Sequence, residues 1–165
     1  MKTIRIGSGA GYAGDRIEPA MELIEKGNLD YIIFECLAER TVAIGQQDKE
    51  KDSEKGYNQL LEYRMKKILP LLFHNHVKMI TNMGAANPKA AVRQTKKIAE
   101  ELGISGLKIA CVTGDDITDK LEQYMGNTVL ENGKQLGELR DSLISANVYM
   151  GSEGIQEALA GQADI

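Results

Sequence analysis

The sequence predicts a three-layer α/β/α, Rossmann-like fold around a mostly parallel sheet of about five to six strands. Five short apolar runs recur along the chain, at residues 3–9, 31–36, 77–83, 108–113 and 146–150. Their ends are 27, 47, 30 and 37 residues apart, intervals that suit a strand, a loop, a helix and a return. The runs are rich in Ile and Val and barely alternate, as expected of strands covered on both faces. A partial (β/α) barrel is the alternative, because successive βα units also open one.

Between the runs, local chemistry places the helices. Pro19 suits the first turn of a helix over 19–26, and Gly27 supplies its stop. A second helix is expected over 58–69, with Pro70 ending or kinking it. Asn87-Pro88 is a cap followed by a first-turn proline, opening a helix that Gly103 closes. A fourth helix is expected over 116–125, a turn at Asn132-Gly133, and a last helix from Glu153 to about Gly161. The interval 37–57 is overlong, and its charged octet at 48–55 reads as a solvated loop. Its opening, 38–45, leaves the carboxyl end of a strand, where open α/β sheets place their ligands. Ala163-Asp164-Ile165 reads as the start of a sixth strand, so the 165 residues are expected to be a single α/β domain from the N-terminal part of a longer protein.

Composition sets bounds. A chain of 165 residues fits one domain with a core of its own. Twenty Lys and Arg against 24 Asp and Glu give a charge of −4, which argues against nucleic acid or an anionic membrane as partner. Two cysteines make no disulfide framework, so a reducing cytoplasm is expected. The first residues lack the apolar centre of a signal peptide, and no run reaches the roughly 18 apolar residues of a membrane span.

Three glycine- and acid-bearing turns carry the candidate chemistry. Gly9-Ala10-Gly11-Tyr12-Ala13-Gly14 fits the dinucleotide fingerprint, with Glu35 placed 21 residues after Gly14 to meet a ribose hydroxyl. Asp15 and Glu18 oppose that reading by putting negative charge where a pyrophosphate would sit, and Pro19 starts the helix late. The alternative is a turn whose glycines only permit unusual backbone angles. In Thr81-Asn82-Met83-Gly84-Ala85-Ala86-Asn87-Pro88, small residues leave room for a ligand, Asn82 can donate and accept, and Asn87 suits a helix cap.

Thr113-Gly114-Asp115-Asp116 adds carboxylates that could converge with Glu35 and Glu39. Two like charges about 4 Å apart cost roughly 4 kcal/mol at an effective dielectric of 20. Such a cluster must hold a cation, pair with Arg16 or Arg40, or keep a proton; otherwise the groups stay apart. His74 and His76 lack metal-ligand spacing and read as surface residues, so no metal site is expected. Cys36 and Cys111 read as small core hydrophobes. Ser8 has no nucleophile elbow around it.

At these residues the chain resembles a known family. Residues 4–16, Asp30-Tyr31 with Glu35-Cys36-Leu37-Ala38-Glu39, and Thr81 to Pro88 are together similar to the acyclic terpene utilisation protein A family, in the right order and over essentially the whole chain. The resemblance implies a role in degrading acyclic terpenoids or branched acyl-CoA compounds. The expected site is a cleft lined by Ser8, Asp15, Arg16, Glu35, Glu39, Asn82 and Asp115. Arg16 would meet an anionic group, and Glu35 or Asp115 would transfer a proton. The implied partner is a small molecule, an acyl-CoA among the candidates, and a bare sheet edge invites self-association. Two other functions fit the same residues. One is a nicotinamide or other nucleotide-binding module using Gly9, Gly11 and Gly14; the other is a non-catalytic domain docking on a carboxylase.

Overall fold

A computed structural model describes residues 3–165. Met1 and Lys2, expected to lead into the first strand, lie outside the described residues. Three strands form: β1 (Ile6–Ala10), β2 (Tyr31–Phe34) and β3 (Lys78–Thr81). All are parallel, in the order β1-β2-β3, with Ile6 opposite Tyr31 and Ile32 opposite Met79. The α/β class is therefore observed, with a smaller sheet than the five to six strands expected.

Helices α1 (Glu18–Lys26), α2 (Glu39–Lys51), α3 (Leu61–Asn75), α4 (Pro88–Glu101) and α5 (Glu153–Ala160) complete the regular structure. Right-handed crossovers between sequential parallel strands deliver their helices to one face. Accordingly α3 packs against both α1 and α4. Ile24, Ile32, Phe34, Met65, Ile68, Met79 and Ile98 are fully buried in that layer. The opposite face stays open: Ile6 is 63% exposed and Ile33 37%. Strands covered on both faces, and a third layer, are thus not seen among the described residues.

The runs at 108–113 and 146–150 form no strands. From 100 to 162 no residue is buried, so their apolar side chains have no helical layer to pack against. Lys108 and Ala110 instead exchange backbone hydrogen bonds with Asp164 and Ile165, while Met79 N–H donates to the Asp164 carbonyl at 2.8 Å. The chain end therefore sits between β3 and residues 108–110. Asn147 meets Asp116 in one isolated antiparallel bridge.

Other departures have local causes. The interval expected as a loop holds the 13-residue α2, which hides because it buries only Val42 and Gly45. A Cβ on Gly45 would come within 2.8 Å of the Gly56 carbonyl, so α2 approaches the chain closely there. Helix α3 runs through Pro70, whose exposed position leaves the freed carbonyl one turn back to water. Residues expected as a fourth helix form a 3₁₀ helix at Thr118–Tyr124. Cys111 is exposed, not a core residue; Cys36 is buried.

Candidate functional site

The carboxyl ends of β2 and β3, the start of α2 and α4, and residues 109–115 and 145–151 surround a cavity of about 850 Å³. That is a size typical of small-molecule sites. Its wall is mostly apolar, built by side chains such as Val42, Ile80, Ile109 and Ile155. Glu35, Glu39, Asn82 and Asp115 all line it.

Each carboxylate is held by a neutral donor. Asn82 Nδ2 donates to Glu35 Oε1 at 2.8 Å, and Leu37 N–H donates to the same oxygen at 2.9 Å. Asn82 Oδ1 in turn accepts from Cys36 N–H at 2.7 Å, so one carboxamide fixes both the acid and the backbone beside it. Tyr149 Oη donates to Glu39 Oε1 at 2.9 Å. Glu39's own backbone N–H and then Tyr149 hold its carboxyl below the ordinary glutamate range. The same contact pushes the Tyr149 phenol up. Asn147 Nδ2 donates to Asp115 Oδ2 at 2.9 Å, and Asp116 Oδ1 accepts from Thr118 N–H, turning the chain into the 3₁₀ helix. Among the described residues no group of three or more His, Cys, Asp and Glu could hold a metal ion.

The first turn lies at the same end of the sheet but off the cavity wall. Ser8 and Arg16 are exposed, and neither they nor Asp15, Gly9, Gly11 or Gly14 line the cavity. Asp15 Oδ2 accepts from Gly11 N–H at 2.9 Å and Tyr12 N–H at 3.0 Å. The amides a phosphate would use are taken by the chain's own carboxylate. Gly9 is explained by packing: a Cβ there would meet the Phe34 ring at 2.6 Å.

Sequence reasoning missed four residues of this region. Asn147 and Tyr149 reach the cavity through the antiparallel bridge, which no local pattern announces. Asn58 ties two turns together: its N–H donates to the Met83 carbonyl at 2.8 Å and its Nδ2 to the Ala13 carbonyl at 3.4 Å. Arg64 is 1% exposed, and its guanidinium donates to the Asp15 carbonyl, Cys36 Sγ and Met83 Sδ, one group from each of the three strand-end turns. A signal for Arg64 existed, since it interrupts the apolar stripe of Leu61, Met65, Ile68 and Leu72.

Comparison with known proteins adds one finding. The family model described as acyclic terpene utilisation family protein AtuA matches residues 4–165. The chain belongs to the AtuA family. No curated protein and no solved structure matches it. Membership in AtuA suggests a role in acyclic terpene utilisation. The match also spans every side chain that lines the cavity. No helix of the described residues is long and apolar enough to cross a membrane.

Proposed function

We propose that this AtuA-family chain is a ligand-binding domain serving the catabolism of acyclic terpenoids or branched acyl-CoA compounds, with the cavity over β2 and β3 as its site. The observation that carries this reading is one apolar cavity bearing Glu35, Glu39, Asn82 and Asp115 on its wall. Its volume suits a branched hydrocarbon chain, and the acid–donor pairs Glu35–Asn82, Glu39–Tyr149 and Asp115–Asn147 are places on the wall where a functional end could be held. Glu35 and Asp115 are the proton-transfer candidates, each oriented by a carboxamide. Ser8, Asp15 and Arg16 have no part in binding under this reading. The occupied amides of the first turn favour a terpenoid over a nucleotide as the ligand.

Displacement of the neutral dye Nile red by geraniol tests the proposal. Geraniol should compete with the dye, and Val92→Trp, which fills the cavity, should abolish both signals. Millimolar NAD should give no thermal shift. Failure of geraniol to displace the dye from the unmodified chain would remove the proposal. Unchanged turnover of a terpenoid substrate by a Glu35→Gln protein would remove Glu35 from the chemistry.

A further inference from the structure

The side chains of three acidic residues line the cavity, and among the described residues no Lys, Arg or His does. Lys49, Lys89 and Arg64 stand near the wall without lining it. Lys49 Nζ sits on the Ala86 carbonyl at 3.2 Å and lies 3.6 Å from Asp116 Oδ2. Lys89 is close enough to Cys111 to favour its thiolate, yet is not part of the wall. Arg64 is committed to the Asp15 carbonyl on the far side of Cys36. The other polar side chains of the wall, Thr81, Asn82, Thr95, Ser145, Asn147 and Tyr149 with the Cys111 thiol, are neutral at pH 7.

Given the ligand-binding reading above, we infer that the cavity selects against anionic head groups: it takes apolar molecules whose polar end is neutral or cationic. The charged side chains of the wall are all acidic, so a carboxylate placed beside Glu35, Glu39 or Asp115 finds repulsion and no compensating cation on the wall. The acid–amide pairs still offer hydrogen bonds to a hydroxyl, a carbonyl or an ammonium. A terpenoid acid is therefore taken better once its carboxylate has been esterified, as to a thiol. An acyl-CoA would enter acyl end first, its phosphates remaining in solvent. The class of reaction that must supply such a ligand is acid activation, or the ligand is an alcohol not yet oxidised.

Competition of Nile red against octylamine, 1-octanol and octanoate at pH 7, on the full 165-residue chain, tests this. The amine and the alcohol should displace the dye at concentrations about ten-fold or more below octanoate. In the Glu35→Gln, Glu39→Gln, Asp115→Asn variant, octanoate should gain on octanol. The ordering in the unmodified chain decides the matter even if the triple variant fails to fold. Octanoate competing as well as octanol would overturn the head-group selection and leave the cavity reading standing. Displacement by none of the three would overturn both.

Discussion

Arg64 Nη2 donates to the Asp15 carbonyl at 2.6 Å from inside α3, while Nη1 of the same guanidinium lies 3.1 Å from Cys36 Sγ. Among the described residues no carboxylate pairs with this buried cation. Its role is to gather three turns that the chain delivers separately. Arg64→Ala should therefore cost about 3 kcal/mol or more, combining a core cavity with an orphaned carbonyl. Urea denaturation measures it; a loss below about 0.5 kcal/mol, the size of an ordinary surface change, would contradict the clamp.

Two glycines of the first turn should behave in opposite ways. At Gly9 a methyl group meets the rigid Phe34 ring at 2.6–2.9 Å, whereas at Gly11 it meets nothing within 4 Å. Gly9→Ala is expected to destabilise the fold by about 1–3 kcal/mol through overpacking. Gly11→Ala should change stability by less than about 1 kcal/mol. Equal effects in denaturant titrations would mean that packing against Phe34 is not why residue 9 is glycine.

What the sequence disclosed follows the reach of its signals. Asn87 accepts from Ala90 N–H and opens α4 at Pro88, as that dipeptide announces, because capping is local chemistry. Glu35 and Asn82 follow the ends of β2 and β3, so the rule for the carboxyl edge of a sheet places them together, whereas Asp115 follows no strand and is held instead by Asn147. Helix α2 stayed hidden because Val42 and Gly45 are its only buried residues and its charged end resembles a loop. Residues 108–113 and 146–150 have strand composition, but a strand needs a partner and a covered face, which composition does not supply. Asn147 and Tyr149 depend on long-range pairing and were illegible for the same reason.

The Glu39–Tyr149 contact joins α2 to the 145–151 segment and carries a pH dependence of known sign. The Glu39 carboxyl is held low in the folded chain by its own backbone N–H and by Tyr149. Its contribution is therefore fully present above the unfolded glutamate value, about 4.3, and is lost as pH falls through the folded value. Carbon-detected NMR titration should find Glu39 below the ordinary range, moving up in Tyr149→Phe. An unmoved midpoint in that variant would show that the phenol does not engage the carboxylate in solution.

The two thiols should separate cleanly. Burial pushes the Cys36 thiol up, with the Arg64 guanidinium opposing, and desolvation also raises exposed Cys111 against the pull of Lys89. Both then stay protonated at pH 7, and accessibility decides which one reacts. A disulfide reagent should modify Cys111 in the native chain, faster as pH rises above the ordinary thiol range, where its thiolate accumulates. Cys36, enclosed by Arg64, should react only at the rate at which the fold opens, and promptly in urea. Mass spectrometry of the modified peptides distinguishes the sites. Labelling of Cys36 as fast as Cys111 in native buffer would mean that the turn after β2 opens readily, and that Arg64 does not hold it.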